Sequence, residues 1–142
     1  MYDFIIIDGE HNCHEMLNST IIKDIGNYSA LNRDFRQFIN MLTNGGIIMI
    51  DGEKFCAGIE NFVKTILPEF PEMQPLIIGH QQIFIGKNFS NYQILNKIID
   101  ETKMILSWNY IDYFGFPNVL EYNVKHSKIY ENFTKIISYI EK

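Results

Sequence analysis

The sequence predicts an α/β domain, and three observations carry that reading. Two apolar runs, Phe4 to Ile7 and Ile47 to Ile50, are continuous rather than alternating. Between them, apolar residues recur at helical spacing. Both runs stop on the same tripeptide, Asp8-Gly9-Glu10 and Asp51-Gly52-Glu53. Continuous runs mark strands buried on both faces, as in a parallel sheet covered by helices. A strand–helix–strand unit is in turn right-handed and parallel in nearly every known case.

Along the chain, Leu31, Phe35, Phe38, Ile39 and Leu42 fall on one face of an amphipathic helix. Asn44-Gly45-Gly46 would end it, since glycine takes the left-handed conformation that closes helices. After the second strand, Ile59, Phe62, Val63, Ile66 and Leu67 repeat the helical spacing, and Pro68 ends the segment. Pro75 to Ile78 and Gln82 to Gly86 read as two short strands joined through Gly79-His80-Gln81, a hairpin. From Ser90 onward helical patterns return: Ile94, Leu95, Ile98 and Ile99 suggest one helix, and Ile129, Phe133, Ile136, Ile137 and Ile140 a terminal one. The aromatic stretch SWNYIDYFGF between them fits neither pattern. The expectation is an α/β region over residues 1–88, with a sheet of about four strands, and a helical C-terminal appendage over residues 89–142 packed on it.

A chain of 142 residues fits one domain and buries roughly 68–70% of the surface its unfolded form exposes. Its formal charge of −5 and the lack of any Lys/Arg block argue against a nucleic-acid partner. No apolar run approaches the roughly 20 residues needed to span a bilayer. The opening MYDFIIID has an acid at its third residue and no basic flank, so it makes a poor signal peptide; the expected location is cytoplasmic. The two cysteines, Cys13 and Cys56, have no metal-ligand spacing, and free thiols are the expectation.

Parallel strands point their C-terminal ends to one edge of the sheet, and open α/β sheets bind ligands outside that edge. Neighbouring strands lie about 4.8 Å apart, so Asp8 and Asp51 would reach one shared ligand or cation. The repeated tripeptide then marks one site approached twice. YDFIIIDGEH, a helix, and then LTNGGIIMIDG together resemble the fourth and fifth strands of class I S-adenosylmethionine-dependent methyltransferases, in particular the small-molecule O-methyltransferases. PLII and QIFIGK are similar to the antiparallel hairpin that closes that Rossmann-like sheet. The resemblance covers residues 1–88. It implies strands equivalent to the fourth to seventh of that fold, S-adenosylmethionine as cofactor, and a small hydroxylated substrate, with a sugar as one candidate.

The departures from the family pattern are as informative. The chain contains no G-x-G, so the loop that would hold the cofactor, and with it half of that fold, is not in this sequence. Gly52 follows Asp51, where metal-dependent members have a second ligand. The candidate residues are Asp8 for the cofactor, His11 as general base, and Asp8, His11 and Asp51 for a divalent metal such as magnesium, a hard cation that prefers oxygen ligands. The competing reading is that these strand-end acids cap the following turn or helix, with His11 an exposed loop residue. Trp108, Tyr110, Tyr113, Phe114 and Phe116 would form either a stacking platform or packed core. Two other classes stand beside the enzyme. One is a non-catalytic methyltransferase-like subunit that docks on a partner. The other is a receiver-type module, which would want an acidic pair and a later Lys that the sequence does not place. Met1 to Ile7 would form an open sheet edge, covered by the C-terminal helices or by self-association with a second chain.

Overall fold

The structure, a computed structural model, describes residues 1–8, 30–52 and 56–125. Its elements are β1 (Tyr2–Ile7), α1 (Ala30–Phe38), β2 (Leu42–Asp51), α2 (Ala57–Asn61), β3 (Met73–Ile78), β4 (Gln82–Lys87), α3 (Tyr92–Thr102), β5 (Leu106–Tyr113) and β6 (Phe116–Val124). The strands form one six-stranded sheet in the order β1-β2-β4-β3-β6-β5. β1 runs parallel to β2 and β3 parallel to β6; β4 is antiparallel to both its neighbours and β5 antiparallel to β6. The α/β class and the parallel first pair hold, as does the hairpin through Gly79-His80-Gln81.

The main core lies on one face of the sheet. Leu31 and Phe35 of α1 and Ile59, Phe62, Val63, Ile66 and Leu67 of the second helical segment are all buried against Ile7, Ile48, Ile50, Ile83 and Ile85. The predicted apolar stripe of that segment is therefore its packed face, although the backbone widens into a π turn over Phe62–Ile66 and tightens over Leu67–Glu69. Phe35 is fully buried, with the rings of Phe62 and Phe70 edge-on at 4.9 and 5.4 Å. Burying such a side chain contributes about 1.5–3 kcal/mol. A second, thinner cluster lies on the other face, where α3 sets Leu95 over Leu76, Ile77 and Leu120.

Two expectations about local structure are corrected. The first helix does not run to Asn44-Gly45-Gly46. It ends at Phe38, a single turn follows over Ile39–Met41, and Leu42 begins β2. Lys87 takes over the role of the helix end by donating to the carbonyls of Ile39 and Leu42, at 2.9 and 3.1 Å. Gly45, at φ +82, instead serves an irregularity in the strand: Tyr2 pairs with Leu42 but Phe4 with Ile47, so β2 carries extra residues there.

The second correction concerns residues from 89 onward, which are helical only in part. α3 is present, but the sheet has six strands rather than about four, because Leu106–Val124 forms a hairpin that joins β3 through Ile77↔Leu120 and Ile78↔Glu121. Its turn is Phe114-Gly115, both at positive φ (49 and 94). That is the mirror-image turn that matches strand twist and usually asks for Asn-Gly. Phe114 tolerates the conformation because its ring packs on Tyr113 at 4.9 Å and beneath the Lys64 ammonium at 5.3 Å. The Asp112 carboxylate accepts from the Gly115 N–H at 3.0 Å. The terminal helix expected around Ile129 to Ile140 lies outside the described residues.

Gly115→Ala tests the turn. A Cβ there meets nothing within 4 Å, so the cost is conformational alone, about 1–2 kcal/mol for a left-handed non-glycine residue. A lowered denaturant midpoint with an unchanged slope is the expected result.

Candidate functional site

The two acids singled out by the sequence come together at one end of the sheet. Asp51 closes β2 and Asp8 follows the last residue of β1, and because Ile7 pairs with Ile50 the two stand side by side. The turn between β3 and β4 completes this end. Asp51 is paired with Gln82, and the Gly52 N–H donates to the Gln81 carbonyl at 2.7 Å. Ile48 and Ile50 point into the main core, so strand alternation places Asp51 on the opposite face with Ile47 and Met49. That is the face α3 only partly covers.

His11 lies outside the described residues, as do Glu10, Glu53, His14 and His126. Among the described residues no group of three His, Cys, Asp or Glu side chains is placed to hold a metal ion. The described part of the expected cluster is thus a pair of neighbouring carboxylates. The N-cap position of α2 belongs to Cys56, whose side chain makes no cap hydrogen bond. His80 sits exposed in the β3–β4 turn.

Sequence reasoning missed the contact between Gly79 and Tyr122. Gly79 lies so close to the Tyr122 ring that a Cβ would stand 1.9 Å from Cζ. The Tyr122 hydroxyl donates to Gln82 Oε1 at 2.7 Å. Together these contacts fix the β3–β4 turn against β6, which supplies the far wall of the strand-end region. No local pattern reveals a contact between residues 43 positions apart in sequence; only the pairing of β3 with β6 brings them together.

The five aromatics do not form one platform. Tyr113 is buried in the main core with Phe114 and Phe116 packed against it, Trp108 joins the cluster under α3, and Tyr110 is exposed. Cys56, expected as a free thiol, is disulfide-bonded. The other cysteine of the chain, Cys13, is outside the described residues.

Burial pushes the Tyr122 phenol above its ordinary value. Tyr113 is pushed further, by burial first and then by the Glu60 carboxylate. Folding therefore favours the neutral phenols. Their contribution is complete below the unfolded tyrosine pKa of about 10 and is lost as pH rises toward the folded values. Stability should fall above about pH 10, by up to ~1.4 kcal/mol per pH unit for Tyr113 and by less for Tyr122, which is partly open to solvent. Denaturant melts between pH 8 and 11 measure that slope, and Tyr113→Phe should lessen it.

Compared with known protein families, with curated proteins and with solved structures, the chain matches none.

Proposed function

We propose that the chain is the C-terminal portion of an S-adenosylmethionine-dependent O-methyltransferase acting on a small hydroxylated molecule. The observation that carries this reading is the placement of Asp8 and Asp51 at the shared end of two neighbouring parallel strands. The antiparallel β4 inserted between β2 and β3 accords with the hairpin that the resemblance implies. Methyl transfer to oxygen needs the acceptor held in line with the sulfonium methyl and its pKa lowered by a base or a metal. In this reading His11 is the base, and Asp8 and Asp51 face the cofactor or hold magnesium. The described residues contain no glycine-rich loop for the amino-acid end of S-adenosylmethionine. The contribution of this chain is then limited to the strand-end groups.

A second reading, a non-catalytic subunit that docks on a partner, is favoured by β1. Among the described residues β1 is paired on one side only, and its Tyr2, Phe4 and Ile6 are 56%, 49% and 54% exposed. The aromatic segment that was expected to cover this edge lies in β5 and β6, at the opposite edge of the sheet. A bare, Ile-rich edge invites pairing with another chain or a second copy. No described helix is long and apolar enough to cross a membrane. The proposed cytoplasmic location conflicts with the disulfide at Cys56, because cytosolic thiols are normally kept reduced.

Calorimetric titration with S-adenosylmethionine separates the two readings. The chain alone should show no micromolar binding. Recovery of binding on adding a segment or second chain that carries a glycine-rich loop would support the enzyme, and no recovery would favour the docking subunit. Micromolar binding by the chain alone would overturn the view that its cofactor site is incomplete.

Millimolar magnesium tests the acid pair separately. If the pair holds the ion, the melting temperature should rise by roughly 3–4 °C for each kcal/mol of binding at this chain length. Asp51→Asn should remove the rise. An unchanged melting curve would leave the acids without a metal role.

A further inference from the structure

We propose that the space between α3 and the sheet is a binding site for a neutral amphiphile, a small molecule with an apolar body and a hydroxyl head. α3 carries Ile94, Leu95, Ile98 and Ile99 toward one side, yet only Leu95 is fully buried and Ile94 is 51% exposed. The helix therefore does not close on the sheet. Between them lies a cavity of about 720 Å³, within the range of roughly 300–1,000 Å³ typical of small-molecule sites. Phe84, Trp108 and Tyr122 form its floor, and Leu95 and Ile98 its roof. It opens to solvent past Phe4 and Ile94, both about half exposed. Its walls are largely carbon and offer water few of the partners that would hold it.

The polar groups gather at one end. His80, Gln81 and Gln82 come from the β3–β4 turn, beside Asp51. Thr102, the polar lining residue on the helix, is already engaged: it accepts from the Trp108 indole N–H at 2.9 Å and donates to the Ile98 carbonyl at 2.7 Å. Gln82 uses its oxygen to accept from Tyr122, which leaves its amide N–H groups as donors. Gln82 therefore offers the head of a ligand a hydrogen bond to accept. Among the described residues no Lys or Arg lines the cavity, and Asp51 stands near its polar end, so a carboxylate head is disfavoured there. A hydroxyl meets both conditions, accepting from Gln82 and donating outward. The proposal does not depend on methyl transfer.

The chain has one tryptophan, Trp108, and it lies in the cavity wall, so its emission reports on this site. Titration of the full chain with 1-octanol should move the emission to shorter wavelength in a saturable, one-site manner. Octanoate at neutral pH should need at least tenfold higher concentration. Ile98→Phe fills the cavity and should abolish the response with the far-ultraviolet circular dichroism unchanged; Ile94→Phe, at a more exposed position on the same helix, serves if Ile98→Phe does not fold. A change that never saturates, equal midpoints for alcohol and carboxylate, or an undiminished response in the folded Phe variant would overturn the proposal. So would emission that shifts with protein concentration alone, which would show that a second copy fills the space.

Discussion

The antiparallel insertion of β4 between β2 and β3 is the constraint on which the rest of the structure depends, because it alone joins the first parallel pair to the rest of the sheet. Its pairs run from Ile47↔Gly86 to Asp51↔Gln82 on one side and from Met73↔Lys87 to Ile78↔Ile83 on the other. Ile83 and Ile85 are completely buried at the centre of the main core. A one-residue slip in this strand would turn those isoleucines away from α1 and α2. Hydrophobic alternation thus sets the register, and the register sets the end at which Asp51 meets Gln82.

The two faces of the sheet are covered unequally, and the functional questions follow from that difference. On the α1 and α2 side, aromatic and aliphatic side chains are packed together and almost fully buried. Among the described residues the other side has α3 alone, which packs over β3 and β6 but leaves Phe4 and Ile6 of β1 exposed. The strand-end acids, the cavity and the bare edge strand all belong to this thinly covered face.

How much of this was legible in the sequence depended on whether the signal was local. Phe4 to Ile7, Ile47 to Ile50 and the 3.6-residue stripes around Phe35 and Phe62 reflect burial against neighbouring layers, and periodicity reports burial directly. The neighbourhood of Asp8 and Asp51 followed from the handedness of one crossover. The β5–β6 hairpin escaped because its turn is Phe-Gly, in which a bulky residue accepts positive φ only through tertiary contacts with Tyr113 and Lys64. The helix end before Gly45 escaped because a side chain far along the sequence, Lys87, satisfies its carbonyls. The part of the site that rests on His11 falls outside the described residues.

The junction of β3 and β6 has a bearing on how the chain folds and breathes. β3–β4 and β5–β6 are hairpins of short sequence separation, the kind that forms in about 1–10 μs. The parallel joint between them consists of Ile77↔Leu120 and Ile78↔Glu121, and it closes a loop of some forty residues whose entropy must be spent before those pairs form. The sheet therefore has a seam. Local opening along it would swing the β5–β6 hairpin away while β1, β2, β4 and β3 stay paired. Amides of β6 facing β3 would then exchange with solvent well ahead of those in β2, at the free energy of a partial opening rather than of global unfolding.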